Sequence, residues 1–158
     1  MIIKKMKYKE KEARYFLERM EENEANTNKE HFLFNYSAFV HATRTILQYA
    51  YKFNKKLYED LVCEIKYKNL FKNIRDINIH KKPISTVVTT SSDLNASMTI
   101  SSTNRSAKKA EKTDINYNKP MFYYCFPNTK YKYESINLIA KKHIKEINNF
   151  IDKFNNRI

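Results

Sequence analysis

One short run, Arg75-Asp76-Ile77-Asn78-Ile79-His80, holds the residue types best suited to chemistry in this chain. A guanidinium grips a phosphate through two parallel hydrogen bonds. An imidazole gives or takes a proton near pH 7. Cleavage of an RNA phosphodiester without a metal needs that pair of functions. The run lies where a helical pattern stops, because Lys81-Lys82-Pro83 follows and a proline disfavours helix in the residue before it. Arg and His five residues apart stand about 140° apart round a helix. A joint site therefore needs either a bend near Asn78 or a second copy of the chain across a two-fold axis.

The whole chain suits an acidic partner. Its 158 residues carry 30 Lys and Arg against 17 Asp and Glu, a net charge of +13. The excess is uneven. Residues 51–82 hold nine basic and four acidic side chains and residues 100–145 hold ten and three, whereas residues 1–26 are nearly balanced at seven and six. Glycine is absent, which excludes the Walker A loop and the dinucleotide fingerprint, since both need glycine where backbone approaches phosphate. It also disfavours a nucleophile elbow and most tight β-turn architectures. Cys63 and Cys125 match no metal or redox spacing and are expected as reduced thiols. The four histidines are scattered, with no carboxylate cluster beside them, so no metal site and no cofactor are expected. The hydroxyls between Ser85 and Ser106 have no nearby base to activate them. Met1-Ile2-Ile3-Lys4-Lys5 lacks an apolar signal region, and no apolar run reaches membrane length. The expected setting is the cytoplasm, away from membranes.

The elements that must position the run read as helices. The first spans about Lys5 to Glu24, with Met6, Ala13, Phe16, Leu17 and Met20 at helical spacing. Thr27 followed by Glu30 predicts a capping box opening the second. There Phe32, Tyr36, Phe39, Thr43, Ile46, Ala50 and Phe53 alternate by four and three, with Leu33, Val40 and Leu47 widening the stripe into that of a central core helix. His41 on this helix is expected to be a core or rim histidine. A third helix, roughly Lys56 to Asn78, delivers Arg75 near its end. Residues 85–106 hold twelve Ser or Thr and few apolar anchors, which allows a weak β-hairpin or a disordered insertion. Tyr117 to Phe126 reads as an aromatic strand or extended segment. Its mixture of aromatic and basic side chains suits single-stranded RNA, and a partly buried strand accounts for the same residues. The last helix runs from about Tyr133 to Phe154 on Ile136, Ile139, Ala140, Ile144, Ile147, Phe150, Ile151 and Phe154. The expected fold is all-α, an antiparallel bundle of four to five helices with a polar Ser/Thr-rich insertion before the last. It forms a single domain over 1–158, with 84–132 as the insertion.

Arg75-Asp76 with His80 five residues after the Arg, preceded by a long helix containing His31-Phe32-Leu33-Phe34-Asn35-Tyr36-Ser37-Ala38-Phe39, resembles the HEPN superfamily of all-α domains. The wording of that helix is similar to small bacterial members. The likeness covers about residues 5–83, and the last helix by architecture. It implies a cleft, usually at a homodimer interface, in which RNA is cut without metal. Arg75 would hold the scissile phosphate, His80 would move the proton, and Asp76 would orient a neighbour. Lys72, Asn78, Lys81 and Lys82 would hold substrate. It also implies a toxin or defence-type ribonuclease with RNA, a second copy and a cognate antitoxin as partners. Members that have lost catalysis serve instead as nucleic-acid-binding, nucleotide-binding or protein-interaction modules.

Overall fold

The computed structural model describes residues 1–73, 87–90, 122–126, 129–131 and 134–158. Most of these are helical. In chain order the elements are α1 (Ile2–Ala25), α2 (Lys29–Phe53), α3 (Lys55–Val62), a helical stretch over 68–73, β1 (Val87–Thr90), β2 (Phe122–Cys125) and α4 (Ile136–Asn155). No helix among the described residues is long and apolar enough to cross a membrane.

The first helix buries Met6, Glu10, Ala13, Leu17 and Met20, a stripe spaced four and three. It begins before Lys5, because Ile2 and Ile3 also pack on the core. Phe16 is only partly buried. Glu10 occupies a stripe position by pairing with Arg14 one turn on. The end of α1 closes with two backbone bonds, Asn28 N to Asn23 O at 2.8 Å and Thr27 N to Glu24 O at 3.0 Å. This is the Schellman pattern, whose pivot residue is left-handed and usually glycine. Here the pivot is Thr27, at φ 54°.

The predicted capping box is therefore corrected. Thr27 is committed to ending α1, and Asn28 opens α2, its Oδ1 accepting from His31 N at 3.2 Å. The three-residue connection returns α2 antiparallel along α1. The long helix buries its predicted stripe from Phe32 to Ala50. Phe53 departs from it. It stands 55% exposed on the last turn, with its ring edge-on to Phe154 at 6.4 Å. His41 is exposed, neither core nor rim.

Asn54 makes the next corner alone. Its N–H bonds to Ala50 O at 2.9 Å, closing α2, and its Oδ1 accepts from Leu57 N at 3.0 Å, opening α3. The predicted helix over 56–78 is not continuous. It stops at Val62 and passes through turns at 63–67 before resuming over 68–73. The reason is geometric. On one unbroken helix the buried residues Leu57, Leu61, Val62, Ile65, Tyr67 and Phe71 would spread over roughly 220° of the circumference, too wide for one core-facing side. The turns allow both halves to face inward. Helix α4 buries every apolar residue of its predicted stripe and also Asn137 and His143. It begins at Ile136, three residues later than Tyr133, and packs on α1, α2 and α3.

Strand β1 lies within 85–106. It pairs antiparallel with β2, Val87 opposite Cys125 and Thr90 opposite Phe122. Tyr124 and Phe126 are buried, as side chains of a partly buried strand. The ribbon sits over the α1–α2 connection. The Tyr124 ring lies 4.4 Å from Phe32, and the half-buried Glu24 carboxylate accepts from Tyr124 N at 2.8 Å and from Asn137 Nδ2 at 2.5 Å. One side chain thus joins the end of α1 to β2 and to the start of α4. Burial holds the Glu24 carboxyl above the usual carboxylate range, against the two hydrogen bonds it accepts. Cys63 is exposed and Cys125 buried, and neither is in a disulfide.

Candidate functional site

Arg75, Asp76, Asn78, His80, Lys81 and Lys82 lie outside the described residues. Lys72 is described. It stands exposed on the stretch 68–73, one turn after the half-buried Lys68, so the two ammonium groups share one helical face. That face borders a cavity of about 400 Å³.

The opposite wall is a single stripe of α2, in which Val40, Arg44, Leu47, Gln48 and Tyr51 recur every three or four residues. Lys52 stands at the same end as Tyr51. From α3 comes Tyr58, half-buried, whose ring meets Tyr51 edge-on at 5.4 Å and Phe150 edge-on at 6.3 Å. Burial, with Tyr51 and Glu59 nearby, pushes the Tyr58 hydroxyl above its usual value, so it remains a neutral donor at pH 7. Arg44, Lys52, Lys68 and Lys72 bring four cations to the lining, and no Asp or Glu joins them among the described residues.

His143 reaches the cavity from α4. Its imidazole is 2% exposed and stacks on Phe71 at 4.5 Å, while Phe39 meets its edge at 6.4 Å. Nδ1 lies 3.9 Å from Glu146 Oε2, too far for a hydrogen bond, and is buried with no hydrogen-bond partner. Burial lowers its proton affinity below the usual histidine value of 6.5, and the Glu146 carboxylate opposes this only in part. The ring is therefore neutral at pH 7. The same carboxylate accepts from Tyr67 N at 3.4 Å, which ties the turn before 68–73 to α4.

The arrangement is that of an anion site with an aromatic wall. Sequence reasoning found Lys72 and overlooked most of the rest. Arg44 lies on the core helix α2. Its companions Gln48 and Tyr51, four and seven residues on, carried the missing signal of a polar face beside the apolar one. His143 was legible too. It stands in the run 136, 140, 143, 147, 150, 154, where every other residue is apolar, and a histidine in a core stripe faces whatever the core encloses. Among the described residues, no three His, Cys, Asp or Glu side chains are grouped so as to hold a metal ion. The chain matches no family model, no curated protein and no solved structure.

Proposed function

We propose that this chain binds RNA through the basic pocket between α2 and the stretch 68–73 and cuts it without a metal, as a HEPN-type endoribonuclease of a toxin-antitoxin or defence system. The observation that carries the reading is the pocket itself, four cations with no carboxylate among the described lining residues, with Lys72 three residues before Arg75. The proposed architecture is one domain over 1–158, an antiparallel bundle of four to five helices with an insertion over 84–132, paired as a symmetric homodimer in the cytoplasm. In the proposed reaction His80 takes the proton of the ribose 2′-hydroxyl or returns one to the leaving 5′-oxygen, and Arg75 stabilises the charge that builds on the phosphate. Asp76 orients a neighbour, and Asn78, Lys81 and Lys82 join Lys72 on the substrate. The products are a 2′,3′-cyclic phosphate and a 5′-hydroxyl.

Purified protein with RNA in EDTA provides the test. Cutting should persist, require the 2′-hydroxyl and disappear in His80→Ala, and Arg75→Lys should be severely impaired because it loses the two-pronged grip. A folded His80→Ala variant cutting at the wild-type rate would overturn the mechanism. A second reading, binding without cleavage, is favoured by the same pocket. Salt-sensitive RNA binding with no cleavage would select it.

A further inference from the structure

A groove that only followed a phosphate backbone would need cations and no enclosed space beside them. This pocket has both. Its α2 wall from Val40 to Tyr51 extends roughly 16 Å along the helix, several times the width of a phosphate, and its volume of about 400 Å³ lies within the range that encloses a small organic ligand. The cations are not the whole lining. Apolar Val40, Leu47 and Phe71 and the rings of Tyr51 and Tyr58 share it. Tyr51 carries the Lys55 ammonium over its ring at 5.9 Å. Gln48, exposed beside Tyr51, offers an amide that both donates and accepts. Thr43 does not compete for that role, since its hydroxyl lies 3.1 Å from both the Phe39 and Val40 carbonyl oxygens.

We infer that the pocket receives one nucleotide of single-stranded RNA, its base against Tyr51 and Tyr58 within reach of Gln48 and its phosphate on Arg44, Lys68 and Lys72. The inference rests on the RNA-binding reading and narrows it. A base enters such a pocket only when it is unpaired and unstacked, so the protein selects single strands, loops and ends over duplex. His143 keeps the inner side uncharged, so the positive charge stays with the cations and the aromatic part remains apolar.

The test measures binding of adenosine and uridine 5′-monophosphate, the two nucleosides and inorganic phosphate to the full chain by calorimetry, beside single-stranded and duplex RNA. At least one monophosphate should bind more tightly than inorganic phosphate by about tenfold, within what one stacked base contributes. Lys72→Ala should weaken nucleotide and phosphate alike. Tyr51→Ala and Gln48→Ala should weaken the nucleotide, leave phosphate unchanged and erase the preference for single strands. Equal affinity for phosphate and nucleotide, unaffected by Tyr51→Ala, would overturn the base pocket and leave a plain anion site. Single-stranded RNA that binds while no mononucleotide does would overturn it too, with RNA binding intact. Failure of every ligand, RNA included, would remove the reading on which it rests.

Discussion

His143 is neutral because the protein surrounds it with rings, and that has a measurable consequence. Its folded proton affinity is depressed by burial, only partly offset by Glu146. The unfolded chain therefore takes up the proton first as pH falls. The stability this group contributes is complete above 6.5, its ordinary value, and is lost as pH falls from there through the lower folded value. Thermal unfolding followed by circular dichroism should show the melting temperature falling as pH drops below 6.5, and His143→Phe, which keeps a ring against Phe71, should flatten that part of the curve. An unchanged slope in the variant would assign the effect elsewhere. Glu24 cannot imitate it. Its folded carboxyl is raised, so its contribution is complete below 4.5 and is lost as pH rises through the folded value. That change has the opposite sign.

At the scale of elements, the first two connections between helices are made by asparagines and one threonine in a chain without glycine. Thr27 performs a turn for which glycine is the usual residue, and a β-branched side chain at φ 54° costs about 1–2 kcal/mol. Thr27→Gly should therefore raise stability by about 1 kcal/mol in urea unfolding, after the loss of backbone freedom that glycine brings. A destabilised variant would mean that the Thr27 hydroxyl, which donates to Asn26 O at 2.8 Å, matters more than the backbone geometry. The break at Cys63 is the second lesson of this scale. Leu57, Leu61 and Ile65 recur every four residues and read as one helix with Phe71, yet burying Val62 and Tyr67 as well requires two short helical pieces with a turn between them. That turn, together with the bond from Tyr67 N to Glu146, sets where Lys68 and Lys72 face.

For the whole molecule, the proposed symmetric pairing gives a mass that can be weighed. Light scattering at micromolar concentration should give twice the 19.0 kDa of one chain, and a stable monomer would remove the dimer and with it the shared Arg75–His80 groove. The sequence by itself determined the helices α1, α2 and α4, because a repeat of four and three is a local property and each apolar stripe must find cover. It also determined the basic character of residues 51–82, within which Lys52, Lys68 and Lys72 later appear together. Tertiary structure alone decided the rest. Arg44, Tyr58, Lys72 and His143 belong to four separate helical segments, and no spacing along the chain predicts their shared cavity, because proximity between segments is set by how the stripes pack. The break after Val62 and the pairing of β1 with β2 have the same origin. Each satisfies buried side chains or backbone groups contributed by another part of the chain, and a local pattern holds no record of them.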